Sequence, residues 1–557
     1  MIKTKLVSSL EKAFVDDKIE NFEPLSRISV LRGERLSCQL LHTQTAENCI
    51  WMFYAPLSFS GSLAEFATAR DVCNLPVTHP VNLPDLYDDN YLRTTPGIYP
   101  DLLRPLHQNG CAVIACGVLS SIWIEVDIPE DLSAGIHTLT VSLDAQKHKQ
   151  GVISHTLEVE VIDAVLPEQT LKNTEWFHCD SLATYYNVRV WSKRHWEIIE
   201  NYMRVAVKNG QNMIITPVFT LPLDTAPGGE RLTHQLVGVT KTGDEYSFDF
   251  KLLDKWIRLC NKVGFKYFEI SHFFTQWGAA HAPKIMATVD GEYKRIFGWD
   301  TDAHGEEYRV FLRSFLAAFL AHMKKRGDDK RCFFHISDEP SIDHIESYAA
   351  SKAVVADLLE GYVIMDAMSK YDFLERGLVD VAIPSNDHIK PFLEHNVEGL
   401  WTYYCCAQSV DVSNRLIAMP SYRNRSIGMQ MFKYNIVGFL QWGYNFYQSF
   451  HSNDTINPAY DLSGDAWVPA GDVCSVYPAQ NGEALESLRL IVFNEALQDM
   501  RAMQLLEKYM PHDKIVSEIE AAFGKTIEFD VCATSAKEIL AVREKVNELI
   551  KKAVESK

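Results

Sequence analysis

From residue 25 to residue 166 apolar and polar side chains alternate with a period of two. Leu36, Cys38 and Leu40 form one row, and Ile122, Ile124, Val126 and Ile128 another. Leu139, Val141 and Leu143 form a third, and Leu157, Val159 and Val161 a fourth. Successive side chains of a strand point to opposite faces, so the pattern predicts antiparallel strands with one wet face, most simply a β-sandwich. Residues 64–110 are rich in Pro, Asp and Asn and read as loops. Leu166, Pro167 and Glu168 end the last strand and serve as a linker.

After Asn173 the period changes. Apolar runs of strand length occur at 175–179, 212–216, 266–271, 332–337, 362–366, 380–384, 399–404 and 436–442. Largely apolar runs suit parallel strands buried on both faces. Between them apolar residues recur at three-to-four spacing, as in Trp196, Ile199, Met203 and Ala206, in Leu252, Trp256 and Leu259, and in Leu312, Phe315 and Phe319. Eight strands alternating with helices predict a (β/α)8 TIM-type barrel. The connections 217–250 and 273–308 are long, and barrels build substrate sites from such loops. Residues 445–483 read as an irregular loop, followed by a long helix over 486–509 and a mixed-charge helical tail. The expected division is a sandwich at 1–167, a barrel at 168–510 and a helical extension packing on the barrel at 511–557.

Composition narrows the partners. The 54 basic and 73 acidic residues give a net charge of −19, and no basic run is long enough to track phosphates, so nucleic acid is excluded. No apolar stretch reaches membrane-span length, and the first residues lack the apolar core of a signal peptide. The twelve cysteines are scattered apart from Cys405-Cys406, with no C-x-x-C pair. This is reduced, cytoplasmic usage and gives no zinc pattern. His178, His272 and His388 do not share metal-ligand spacing, and no glycine-rich phosphate loop opens a helix, so neither metal nor cofactor is expected.

The chemistry concentrates at Asp338 and Glu339. They follow the apolar run Cys332-Phe333-Phe334-His335-Ile336 and precede Pro340. On a regular strand neighbours face opposite ways, but at the last residue, where the chain bends, both can enter one pocket. In a barrel that rim is where chemistry occurs. The same pair would also fit a helix cap with one solvated carboxylate, since Ser341 and Asp343 look like a helix start. Ordinary glycosidases set two carboxylates about 5–9.5 Å apart across the scissile bond. Sequence neighbours more naturally serve one side of a sugar. That suits substrate-assisted cleavage, in which a 2-acetamido oxygen attacks C1.

The segment Phe334-His335-Ile336-Ser337-Asp338-Glu339-Pro340 resembles the catalytic motif of glycoside hydrolase family 123. Trp401-Thr402-Tyr403-Tyr404-Cys405 is similar to that family's seventh strand, and Gly438–Phe446 to its eighth. Gly471-Asp472, Tyr477-Pro478 and Ser487-Leu488-Arg489 are similar to the loop and helix that follow, and Glu175–Asp180 to the start of its barrel. The resemblance covers roughly residues 120–510, with the same domain order. It implies an exo-β-N-acetylgalactosaminidase with Glu339 as general acid/base and Asp338 positioning the acetamido group. The chain departs from the pattern at Val473, where a glycine is frequent, and in lacking an export signal. It therefore reads as an intracellular relative acting on a small glycoside or oligosaccharide, possible as a homo-oligomer.

Further candidates are rim residues. Trp401 and Tyr403 share one face by alternation, as do Trp442 and Tyr444, and these pairs are expected to bind the sugar. His178, Asp180 and His272 end strands one and three and could bind hydroxyls. Asp366 and Asn386-Asp387-His388 are weaker candidates. Two rival readings stay open. One is a retaining glycosidase with Asp366 or Asp387 as nucleophile opposite Glu339; the other is a carbohydrate-binding protein without activity.

Overall fold

A computed structural model describes residues 1–45, 52–82, 86–107, 110–146 and 150–556. The N-terminal region consists of two five-stranded sheets. One runs in the order Ile2–Ser8, Arg35–Gln44, Ser120–Asp127, Ala67–Val77, Gly97–Pro105, and the other Arg27–Arg32, Val152–Val165, Gly135–Asp144, Phe53–Ser60, Cys111–Ile114. The alternating rows explain how they stack. Cys38, Leu40, Ile122 and Ile124 of the first sheet share one core with Leu139, Val141, Leu157 and Val159 of the second.

The expected loops at 64–110 are in part strands. Ala67–Val77 and Gly97–Pro105 pair antiparallel from Arg70–Pro105 to Val77–Gly97, with an irregularity between Cys73 and Asn74. Pro76, Pro100 and Pro105 hid them, yet each lies where an edge or an irregular register tolerates the missing N–H. The outer face of this strand pair packs in large part against the barrel. Val72, Leu75, Tyr99 and Leu103 join the main core shared with the barrel.

The second region is an eight-stranded parallel barrel. Its strands, in chain order, are Lys172–Glu175, Met213–Thr216, Tyr267–Ile270, Cys332–Phe334, Val363–Ala367, Val381–Ile383, Trp401–Tyr403 and Gly438–Gln441. The first strand pairs with the second and the eighth. A parallel bridge between Ser385 and Tyr403 joins the sixth to the seventh, with Tyr403 N–H donating to Pro384 C=O at 3.2 Å. The first strand ends at Glu175, earlier than its apolar run, because Trp176 and Phe177 already belong to the exit toward the helix Cys179–Tyr185. The long second and third βα connections each carry a hairpin, and together these form a four-stranded sheet.

The long helix Leu488–Leu506 is buried on nearly all sides. The final helix, Ala536–Glu555, touches the barrel side and the N-terminal sheet together. Its Arg543 donates to Glu34 Oε2 at 2.6 Å and to Asp499 Oδ1 at 3.2 Å, and Lys551 reaches Glu160. The extension thus seats on both regions, not on the barrel alone. Among the described residues no helix is long and apolar enough to cross a membrane.

Candidate active site

The end of strand four is fixed by a buried polar assembly. His335 sits between two carboxylates, with Nδ1 2.8 Å from Asp366 Oδ1 and Nε2 2.8 Å from Glu269 Oε1. With an acceptor on each side, both nitrogens carry hydrogen and the ring is an imidazolium. Burial pulls its pKa down, but the hydrogen bonds and charges of Asp366 and Glu269 outweigh this and push it up to about 10. Asp366 also accepts from the N–H of Ile336 at 3.1 Å and from the Tyr348 hydroxyl. Glu269 accepts from the Trp176 indole and the Thr174 hydroxyl, each at 2.6 Å. Strands one, three, four and five are therefore tied together immediately below the bend.

The bend itself is left-handed at Glu339, with φ 44°. That conformation costs a residue with a Cβ about 1–2 kcal/mol. It is held by Glu339 N–H donating to Ala367 C=O at 3.2 Å, while Asp338 C=O accepts from Trp277 N–H at 3.0 Å. The strand's alternation ends there, and both carboxylates line one cleft of about 560 Å³. Trp176, Trp277, Tyr403, Trp442 and Trp467 supply its aromatic walls. The Tyr403 hydroxyl donates to Glu339 Oε1 at 2.8 Å.

The electrostatics follow from crowding. Burial, then the charge of Glu339, then Asp224 and Asp366 hold the Asp338 carboxyl well above the usual carboxylate range. Glu339 keeps exposed surface at the cleft mouth. The concave wall still removes enough water to raise its pKa, and the Tyr403 hydrogen bond opposes that rise. Burial pushes Asp224 up to about 7; Arg231 opposes this, and Glu339 and Asp472 reinforce it. Close carboxylates cannot all ionise, so the cleft retains proton density near neutrality.

Asp338, Glu339, Tyr403 and Trp442 thus meet in the cleft, and the other expected residues lie around it. Trp401 is buried over Gly438 of the neighbouring strand, deeper in the barrel. Tyr444 does not share a face with Trp442. The strand stops at Gln441, whose side chain accepts from Gly443 N–H, and the Tyr444 hydroxyl instead donates to Tyr202 C=O at 2.9 Å. His178 donates from Nε2 to Trp442 C=O at 2.9 Å and accepts from Arg231 at Nδ1. Burial and Arg231 push it down to about 3, a neutral ring. Asp180 takes a two-pronged bond from Arg231 at 2.9 and 2.8 Å. His272 stacks on His335 with ring centroids 4.2 Å apart. Asp366 is committed to His335, and Asp387 to Ser385, His388 and Gln408, all outside the cleft lining.

Five residues escaped the sequence reading as site members: Asp224, Trp176, Trp277, Trp467 and Asp472. Asp224 and Trp277 sit in the two long connections, which were the available signal. Both are left-handed, at φ 46° and 59°. Asp224 is pinned by its N–H to Gln276 and by its C=O, which accepts from Ser452 at 2.7 Å. Asp472 accepts from the Trp442 indole at 2.9 Å and from Cys406 N–H at 2.8 Å. Its loop is clamped from the N-terminal region, because Arg489 bonds both Asp101 and Gly471 C=O.

His272, His335 and Asp366 bring metal-ligand atom types together. Two ligands on one tetrahedral cation at about 2.1 Å lie about 3.4 Å apart. The 2.8 Å contact between His335 and Asp366 is a hydrogen bond instead, and both His335 nitrogens are engaged. The cluster fits a proton better than a cation.

A parallel barrel with two carboxylates at a strand's C-terminal end, inside an aromatic cleft, carries acid–base groups where barrel enzymes do their chemistry. The family model "Glycoside hydrolase 123, catalytic domain" matches residues 176–506, more than half of the chain. The chain belongs to glycoside hydrolase family 123. Its fold is similar to that of a family 123 glycoside hydrolase from Clostridium perfringens studied for glycolipid glycan hydrolysis. That likeness has a TM-score of 0.76 at 15% identity and covers 100% of this chain and 98% of the other. A GH5 xyloglucanase from Bacteroides ovatus aligns at a TM-score of only 0.29 and 9% identity, over 88% of this chain and 100% of the other. No curated protein matches the sequence.

Proposed function

We propose that the protein is a cytoplasmic exo-acting hydrolase that removes a terminal β-linked N-acetylhexosamine, N-acetylgalactosamine first, with retention through an oxazoline. The observation that carries the reading is the adjacency of Asp338 and Glu339 on one side of one cleft. Glu339 protonates the leaving oxygen and later draws a proton from water. Asp338 accepts from the acetamido N–H and offsets the oxazolinium charge. Burial raises both carboxyls, so the pair holds a proton between them, while the role of Asp338 needs its anion. In the bound complex the acetamido N–H favours the Asp338 anion, so the shared proton sits on Glu339 before it passes to the leaving oxygen as the bond breaks. Trp176 and Trp442 offer faces for the ring's apolar side. We divide the chain at 1–167, 168–510 and 511–557, with the barrel carrying the site. From the Clostridium perfringens neighbour, studied for glycolipid glycan hydrolysis, we extend only that the substrate is a glycan.

The test is hydrolysis of p-nitrophenyl β-GalNAc, β-GlcNAc and β-galactoside, with Glu339→Gln and Asp338→Asn alongside. Turnover confined to acetamido sugars and lost in both variants is expected. Turnover of the galactoside sinks the oxazoline route. A nucleophile at Asp366 or Asp387 finds no support in their placement, so attention would pass to Asp224. Binding of GalNAc without turnover of any substrate would favour the carbohydrate-binding reading.

A further inference from the structure

We propose that Cys405 and Cys406 form a dithiol site in the cleft wall that takes a trivalent thiophile, such as an organoarsenical, across both sulfurs. They are the only adjacent cysteines in the sequence. Both are free and half-buried, and both line the cleft with Tyr403 and Glu339. The pair is held in place: the Cys405 thiol donates to Gln408 Oε1 at 3.2 Å, and Cys406 N–H donates to Asp472 at 2.8 Å. The two residues are consecutive in the chain and line the same cleft. One trivalent atom can therefore bridge two sulfurs with little reorganisation, which is where a chelate gains over two separate ligands.

The reaction balances without a redox partner. Phenylarsine oxide and two thiols give one phenylarsenic dithiolate and one water; two S–H bonds break, two As–S bonds form, and the oxide oxygen leaves with both protons. Reagents that need a thiolate meet a poor target at Cys405. Contact with Cys406, burial, and the nearby Glu339 and Asp472 carboxylates hold the Cys405 thiol protonated. The site should thus distinguish chelating from single-thiol chemistry. A phenylarsenic group there would stand beside Tyr403 and Glu339 and exclude a glycoside, a consequence that rests on the proposed reading of the cleft.

The test is intact and peptide mass spectrometry of the full chain after treatment with one equivalent of phenylarsine oxide. One adduct per chain is expected, on the peptide holding residues 405 and 406. It should be absent in Cys405→Ser and in Cys406→Ser, be released by 1,2-ethanedithiol, and survive the same concentration of 2-mercaptoethanol. Iodoacetamide at matched dose should leave Cys405 largely unmodified. No uptake, an adduct elsewhere, or uptake that persists in both variants overturns the proposal. Peptide mapping of the unmutated chain decides the matter if a serine variant misfolds, and Cys406→Ala serves as a second variant. Hydrolysis of the nitrophenyl glycoside should fall at least tenfold in parallel. An adduct with undiminished hydrolysis would leave the dithiol site standing and overturn the placement of substrate in this cleft.

Discussion

Tyr403, on the seventh barrel strand, donates its hydroxyl to Glu339 Oε1 at 2.8 Å, joining a residue at the end of one strand to the bend after another. That bond opposes the burial that raises Glu339. Tyr403→Phe should therefore shift the alkaline limb of the pH–rate profile upward. Hydrogen bonds to charged groups are worth about 1.5–3 kcal/mol, so the rate near neutrality should drop about 10–100-fold. A rate loss with an unmoved limb would mean that Tyr403 acts only in substrate binding.

Asp224 raises the pKa of Asp338 across the cleft. Its own carboxyl is pushed up to about 7, mainly by burial. Asp224→Asn removes this charge, so the limb governed by the carboxylate pair should move to lower pH. The check is the full kcat/KM profile from pH 4 to 9. An unchanged profile would separate Asp224 from the proton shared by Asp338 and Glu339.

His335 makes a stability prediction with a definite sign. Its folded pKa of about 10 lies above the unfolded value of about 6.5. Its contribution is therefore full below pH 6.5 and is lost as pH rises through 10. Lys12, pulled down to about 7 by burial, acts in the opposite sense over much of that window. The comparison that isolates His335 is thus between the native chain and His335→Gln. The variant should melt well below the native chain at pH 6, since removing one partner from a buried charged set costs about 3–5 kcal/mol. The gap should narrow by pH 10, and a constant gap would argue against the imidazolium.

Gly438 is a packing prediction. A Cβ there would lie 1.9 Å from the Trp401 ring, too close for any rotamer to relieve without moving the strand. Gly438→Ala should cost about 1–3 kcal/mol or more, seen as a lower denaturation midpoint. Adding Trp401→Leu should recover part of it. Loss of activity without loss of stability would show that Trp401 does more than fill the barrel.

Much of the architecture was legible because burial leaves a periodic trace. The period-two rows at Cys38, Ile124, Val141 and Val159 became facing strands. The spacing of Trp196, Ile199 and Met203 became the helix Lys193–Lys208. The strands Ala67–Val77 and Gly97–Pro105 left a weaker trace. One side meets the barrel and its edge accepts prolines, so neither alternation nor proline avoidance marked them.

The sequence by itself determined the order of elements and the placing of Asp338 and Glu339 where a buried run gives way to a proline turn. Those are local properties, set by which residues can be buried and which cannot continue a strand. The tertiary structure alone decided what faces that pair. Tyr403 came to Glu339, Asp224 to Asp338 and Trp442 to Asp472 by barrel closure and loop clamping, across separations that no period records. It also turned Tyr444 away from Trp442, because alternation predicts a side chain's direction only while the backbone stays extended, and strand eight ends at Gln441.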